Sequence, residues 1–239
     1  MRIKILANPK KPWAQETARE LRDFLKPDHD VVVRKADATV CIGGDGTILY
    51  NSHKGRLEGP VLGIGGDSSY ICQLHKDDWK GRIMHMLSSG RTVKVLTLEC
   101  SLGAKLYIAL NDVVVHATHY RVAELTVSYE TGNRKQETRF EGDGMIISTA
   151  LGSAAYAFSA GGEKLPPTER KLSLVPICPY KRAFSPIMLS EEASISLEAG
   201  SDCAFISDGI FVRHLRKGER ITAKKGPDLE FFEGIGRSF

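Results

Sequence analysis

The residues best equipped for chemistry lie in the stretch CIGGDGTILY at positions 41–50. An apolar run stops at Gly43-Gly44, a single carboxylate, Asp45, follows, and Gly46 and Thr47 lead back to apolar residues. Glycine has no Cβ, so backbone N–H groups can come close to an anion, and a helix that starts here points its positive end at the same spot. A carboxylate beside bare phosphate is repelled. It becomes useful when it holds a divalent metal or takes a proton from an attacking hydroxyl. The spacing matches neither GxxxxGK(S/T) nor GxGxxG, so the common P-loop and dinucleotide fingerprints do not apply. On these residues alone a plainer reading stays open, a glycine-rich turn with Asp45 as helix N-cap.

A second chemically suggestive run is GDGMIISTALGSAAYAFSAGG at 142–162. Its small residues permit close backbone approach, and Ser148, Thr149, Ser153 and Ser159 offer hydroxyls. Tyr156 is either a flat cover for a base or ribose or a core side chain. Upstream, Asn111 and Asp112 end or interrupt the strand-like ALNDVVV; downstream come LVPICPY and ISDG. His116 and His119, three apart on a strand, face opposite sides and make a poor metal pair. RKGER and TAKKG read as solvated turns, and the RVAELTVSY stripe reads as sheet packing.

The elements that must position these groups follow from periodicity. RIKILA, VVV at 31–33, ATVCIG and PVLGIG are short apolar strands of the buried kind. WAQETARELRDFL and DDWKGRIMHMLSSG carry helical spacing, the second ending at Gly90, and helix signals also follow Thr47. Alternation of strand and helix implies an α/β domain with a parallel sheet over residues 1–90. From 91 to 225 the pattern changes to short β-branched segments, TVKVLTLECSL, LYIALNDVVVH, VAELTVSYE, MIISTA, ASISLEA, CAFISDG and ERITAKK, separated by turn signals such as ETGN and LEAGSD. This implies an all-β domain. The tail at 226–239, with LEFFEGIGRSF, is apolar enough to dock on the first domain.

The chain has 239 residues, 42% hydrophobic and 26% charged, with a net charge of +4. That charge is too small to argue for nucleic acid or an anionic membrane, though it suits a phosphorylated substrate. No leader-like start is visible, and no apolar run nears the ~20 residues that span a bilayer. Five cysteines, Cys41, Cys72, Cys100, Cys178 and Cys203, sit in apolar segments without a CxxC pair. The expectation is a cytoplasmic protein with reduced cysteines acting as small hydrophobes and no structural zinc.

Taken in order, GGDGT, LND, DGMIISTALGSAAYAFSAGG, PICP and DG resemble the NAD kinase family, whose superfamily includes diacylglycerol and sphingosine kinases. The resemblance runs from about residue 38 to 215. It implies an NAD kinase-like fold and transfer of phosphate from ATP or polyphosphate, with a divalent metal such as Mg²⁺, to the adenosine ribose 2′-hydroxyl of NAD. By this resemblance Asp45 is the catalytic general base or metal-assisting acid, and Gly44, Gly46 and Thr47 shape the phosphate turn. Asn111-Asp112 matches an Asn-Glu pair that grips adenine and ribose. Ser148 to Tyr156 matches STPTGSTAY, with Ala154 and Ala155 admitting the ligand and Tyr156 and Ser159 contacting it. Asp143 stands near the nicotinamide end. A homodimer or homotetramer is implied.

Several positions depart from the family pattern. Asp112 replaces Glu, and Ala150, Leu151 and Ala154 replace a Pro and two hydroxyls. Gly65 stands for Asn, Ser185 for Arg, and Ile210 for Gln. Two alternatives therefore stand beside the NAD kinase reading. One is a kinase of this fold acting on a nucleoside, sugar or lipid hydroxyl. The other is a nucleotide-binding regulatory protein without catalysis.

Overall fold

Ala14, Thr17, Ala18, Leu21 and Leu25 recur at helical spacing and are the buried face of helix α1 (Pro12–Leu25). Pro12 opens it at the first turn, where the missing N–H costs nothing. The structure, a computed structural model, describes residues 1–118, 121–132 and 134–236. His119, Asn133 of the ETGN turn and the last three residues of the tail lie outside the described residues.

Two compact units result, one of Met1–Val95 with Leu229–Phe239, the other of Leu96–Asp228. The first unit carries strands β1 (Arg2–Ala7), β2 (Asp30–Val32), β3 (Ala38–Ile42), β4 (Val61–Gly65), β5 (Leu74–His75) and β6 (Thr92–Val95). It also holds helices α2 (Asp45–His53) and α3 (Ile83–Ser89). Strands β1 to β5 pair in parallel, β3 in the middle. Every residue of β3 and β4 is buried, which is why both read as unbroken apolar runs. The core gathers Ile3, Leu21, Val40, Ile42, Leu62 and Ile64 under α1 and α3.

The run DDWKGRIMHMLSSG does not form one helix. A 3₁₀ turn at Trp79–Gly81 is followed by α3, and Arg82 between them leaves helical geometry at φ −121°. Burial of Trp79, edge-on to Phe24 at 5.6 Å, fixes the first turn independently of the second. Gly90 ends α3 in the left-handed region at φ 60°.

The second unit is built from strands alone, apart from the short helix α4 (Tyr156–Ser159) and 3₁₀ turns. Its strands are β7 (Leu98–Leu102), β8 (Lys105–Ala109), β9 (Asp112–Ala117), β10 (Ala123–Thr131), β11 (Arg134–Gly142) and β12 (Gly144–Thr149). They continue with β13 (Lys171–Ile177), β14 (Ile187–Ser190), β15 (Ser194–Ala199), β16 (Cys203–Ser207), β17 (Ile210–Leu215) and β18 (Arg220–Lys225). One antiparallel sheet runs β11-β10-β15-β18-β7-β8, the other β14-β13-β12-β9-β16-β17. Alternate residues such as Leu125, Val127, Val113, Val115, Ile147 and Phe205 share one core. The opposite face of the second sheet carries a smaller cluster, Val114, Ile146, Val175 and Ile177, packed with Ala157 of α4.

TVKVLTLECSL, one strand-like run in sequence, divides at Leu96-Thr97. Thr97 leaves the ladder to donate its hydroxyl to the Pro227 carbonyl at 2.7 Å. The tail supplies β19 (Leu229–Phe232), parallel to β4 and antiparallel to β6. Four of the cysteines are buried, as expected of small hydrophobes; Cys178 departs, being exposed on a backbone at φ 44°.

Candidate functional site

Strand β3 delivers the chain to Gly43 and Gly44, at φ 137° and 89°, conformations that only glycine adopts without strain. Both amides donate to the Ile64 carbonyl, at 3.0 and 3.2 Å, and the Thr47 amide donates to Gly44. The amides of Asp45 and Gly46, at the start of α2, have no partner among the described residues. Gly46 is exposed, with open space where a Cβ would lie. Anion-binding capacity thus sits at Asp45 and Gly46, while Gly43, Gly44 and Thr47 shape the turn.

Asp45 is not the N-cap; Gly44 is. The Asp45 carboxylate instead reaches the loop after β4. Its Oδ2 accepts the Tyr70 N–H at 2.7 Å, and its Oδ1 accepts those of Ile71 and Cys72 at 3.0 and 3.3 Å. A carboxylate offers about four lone-pair positions. Backbone takes two on Oδ1 and one on Oδ2, and the Cys72 thiol makes a further hydrogen bond to this carboxylate. Burial first, and then the Asp45 charge, raise the Cys72 thiol.

Lys11, just ahead of α1, was not marked by any sequence pattern. Its Nζ donates to the Gly43 carbonyl at 2.8 Å and lies within 3.8 Å of where a Gly44 Cβ would stand. An ammonium with three donors, one of them used, therefore rests on the glycine turn.

In the second unit Asn111 and Asp112 are buried at the head of β9. Asp208 clamps them. Its Oδ1 accepts the Asn111 and Asp112 amides at 2.7 and 3.2 Å, and its Oδ2 accepts the Leu110 amide at 2.8 Å. The Asn111 carbonyl receives the Thr149 amide at 2.9 Å and the Ser148 hydroxyl at 3.3 Å, and Ser148 is fully buried. Gly152 packs so closely that a Cβ there would lie 2.1 Å from that carbonyl oxygen. The side-chain Oδ1 of Asn111 is buried with no partner. Such an acceptor fits a ligand N–H.

Burial, and then the charge of Asp208, raise the Asp112 carboxyl to about 7. Tyr156 opens α4 and is 42% exposed, which excludes a core role. Its hydroxyl is raised by burial first, then by Cys178, Asp112 and Asp143. Asp143 holds the Cys178 thiol by a hydrogen bond that raises its pKa. Ala155 and Ser159 are exposed beside Tyr156 and Ala154 is half-buried, leaving backbone accessible.

Residues 110–231 match the family described as ATP-NAD kinase C-terminal domain. An NAD kinase of Chlorobium limicola is 32% identical over 211 residues, 84% of this chain and 72% of that one. The chain belongs to the NAD kinase family. The NAD kinase of Cupriavidus pinatubonensis is 35% identical over 223 residues, covering 86% of this chain and 70% of the relative. Two solved structures share the NAD kinase fold. An Archaeoglobus fulgidus NAD kinase in complex with ATP has a TM-score of 0.83 at 22% identity, covering 98% of this chain and 94% of that one. Yeast NADH kinase complexed with NADH has a TM-score of 0.87 at 21% identity, covering 100% and 85%.

Sequence reasoning used the DG of Asp208-Gly209 as part of the resemblance but gave Asp208 no role, and it missed Lys11. The SDG triplet was a signal for the first, since Asp208 and Gly209 both take positive φ, at 49° and 74°. Lys11 carried none, because its position over the turn depends on the parallel register of β1 against β3.

Proposed function

We propose that this chain phosphorylates the adenosine ribose 2′-hydroxyl of NAD to give NADP, with ATP as phosphoryl donor. The observation that carries the reading is the Asp45 carboxylate, fixed by three backbone amides at the start of α2 in a chain of the NAD kinase family. Asp45 accepts the proton of the attacking hydroxyl on its carboxylate. Donor phosphates engage the free amides of Asp45 and Gly46 and the Lys11 ammonium. These groups recognise phosphate rather than a base, so polyphosphate is a second donor in this reading.

Asn111 Oδ1 takes an N–H of the dinucleotide, Asp112 takes a ribose hydroxyl, and Tyr156 covers a ring face. Ala154, Ala155 and Ser159 line its approach, and Asp143 stands toward the nicotinamide end. Gly44, Thr47 and Ser148 keep the backbone in place. A divalent ion such as Mg²⁺ neutralises the transferring phosphates when bound. Such an ion is commonly held by one or two carboxylates plus substrate phosphate, and Asp45 would be the carboxylate to hold it. We read the protein as a homodimer or homotetramer, as the family resemblance implies. No helix among the described residues is long and apolar enough to cross a membrane; with no cysteine paired, we read the protein as cytoplasmic.

The test is formation of NADP from NAD, ATP and Mg²⁺, followed by enzymatic reduction of the product. NADP appearing with wild type and not with Asp45→Asn supports the reading. Phosphate transferred only to water or to another hydroxyl contradicts it.

A further inference from the structure

A separate cavity of about 310 Å³ lies wholly within the first unit, along α3 and beside the chain that leaves β19. Arg82, His85 and Arg91 line it, with Met86 and Phe232 as apolar wall and Glu233 at its edge. No carboxylate makes an ion pair with Arg82, His85 or Arg91 among the described residues. Each guanidinium presents a planar fork of N–H donors that suits phosphate oxygens, and both line the same concavity. Glu233 makes no ion pair with either arginine and can accept from a ligand hydroxyl. The volume is at the small end for metabolite sites.

The same wall is tied to Asp45. The Phe232 carbonyl accepts the Gln73 side-chain amide at 3.0 Å, and the Tyr70 carbonyl accepts the Gly236 amide at 2.9 Å. Tyr70 in turn donates its amide to Asp45 Oδ2. Gln73 also accepts the Gly63 amide of β4 at 2.6 Å. Residues 232–236 thus border the cavity on one side and hold the 70–73 loop on the other.

We propose that this cavity is a regulatory site for a small phosphate monoester with a hydroxylated body. Arg82 and Arg91 grip the phosphate, Glu233 takes a hydroxyl, and occupation alters phosphoryl transfer through the 70–73 loop. The binding half of the proposal is independent of the kinase reading; the regulatory half rests on it.

The test is calorimetric titration of the full chain with ribose 5-phosphate, with ribose and inorganic phosphate as partial probes. Binding of ribose 5-phosphate is expected at millimolar concentration, and ribose alone does not bind. The double variant Arg82→Ala/Arg91→Ala, checked for an unchanged unfolding midpoint, binds at least about tenfold more weakly, as loss of one charge-assisted hydrogen bond predicts. Lys11→Ala binds as wild type. No binding by wild type, or binding equal in the double variant and lost in Lys11→Ala, overturns the site. If wild type binds ribose 5-phosphate yet NADP formation is unchanged by it, the regulatory half is overturned while the site stands. A rate change in wild type that is absent in the double variant supports both.

Discussion

Asp208 holds Asn111 in place from across β9 and β16. A single carboxylate oxygen accepts the Asn111 amide at 2.7 Å and the Asp112 amide at 3.2 Å. The Asn111 side chain is aimed by its backbone, and the backbone by Asp208. Asp208→Asn replaces one acceptor oxygen with an NH₂ that faces an N–H. The expected cost is about 1–3 kcal/mol for a buried donor left unpaired, seen as a lower urea midpoint. The KM for NAD should rise while the KM for ATP changes little. An unchanged midpoint would mean that the clamp is not a stability element.

Asp112 makes stability depend on pH. Its folded-state pKa lies near 7, against an ordinary 3.8. The folded state therefore binds more protons than the unfolded state between those values, and stability falls as pH rises through that window. Above about pH 7 the loss is complete. Asp112→Asn carries no such proton, so its unfolding midpoint should fall less than that of wild type between pH 5 and pH 8. Parallel melting curves for the two proteins over that range would remove Asp112 as the cause.

Lys11→Ala should raise the KM for ATP by about 10- to 100-fold, the scale of a hydrogen bond to a charged group. The KM for NAD should move much less. Lys11→Arg should recover part of the loss, because a cation is restored. A rise confined to NAD would place Lys11 on the acceptor instead.

Tyr156→Ala should leave the melting temperature nearly unchanged, since the ring is well exposed. Acceptor binding should weaken by about 1–3 kcal/mol, the range of base stacking on an aromatic ring. Acceptor titration and melting on the same variant separate the two roles. A collapsed midpoint with normal binding would make Tyr156 structural.

Much of the fold was legible because its signals are local. β3 and β4 show as apolar runs, α1 as a helical stripe, and the second unit as short alternating strands. The α3 region was not, because the break at Arg82 comes from Trp79 packing on Phe24, a contact between segments far apart in sequence. The partition of TVKVLTLECSL depends on which sheet each half joins, a tertiary choice with no local mark. In the site, Asp45 stood out as a lone acid among glycines. What holds it did not, since backbone amides of residues 70–72 leave no trace in side-chain identity. The Asp208 clamp was hidden for a related reason: strand pairing alone brings residue 208 to residue 111.

The most direct test of the central claim is kcat/KM for NAD phosphorylation in Asp45→Asn. Asparagine keeps one oxygen for the Ile71 and Cys72 amides but puts an NH₂ opposite Tyr70, so the melting temperature is measured on the same sample. Loss of a general base costs about 10²–10⁴ in rate, and the account predicts a fall of that size with ATP still bound and the protein still folded. Near wild-type turnover in the folded variant would contradict it.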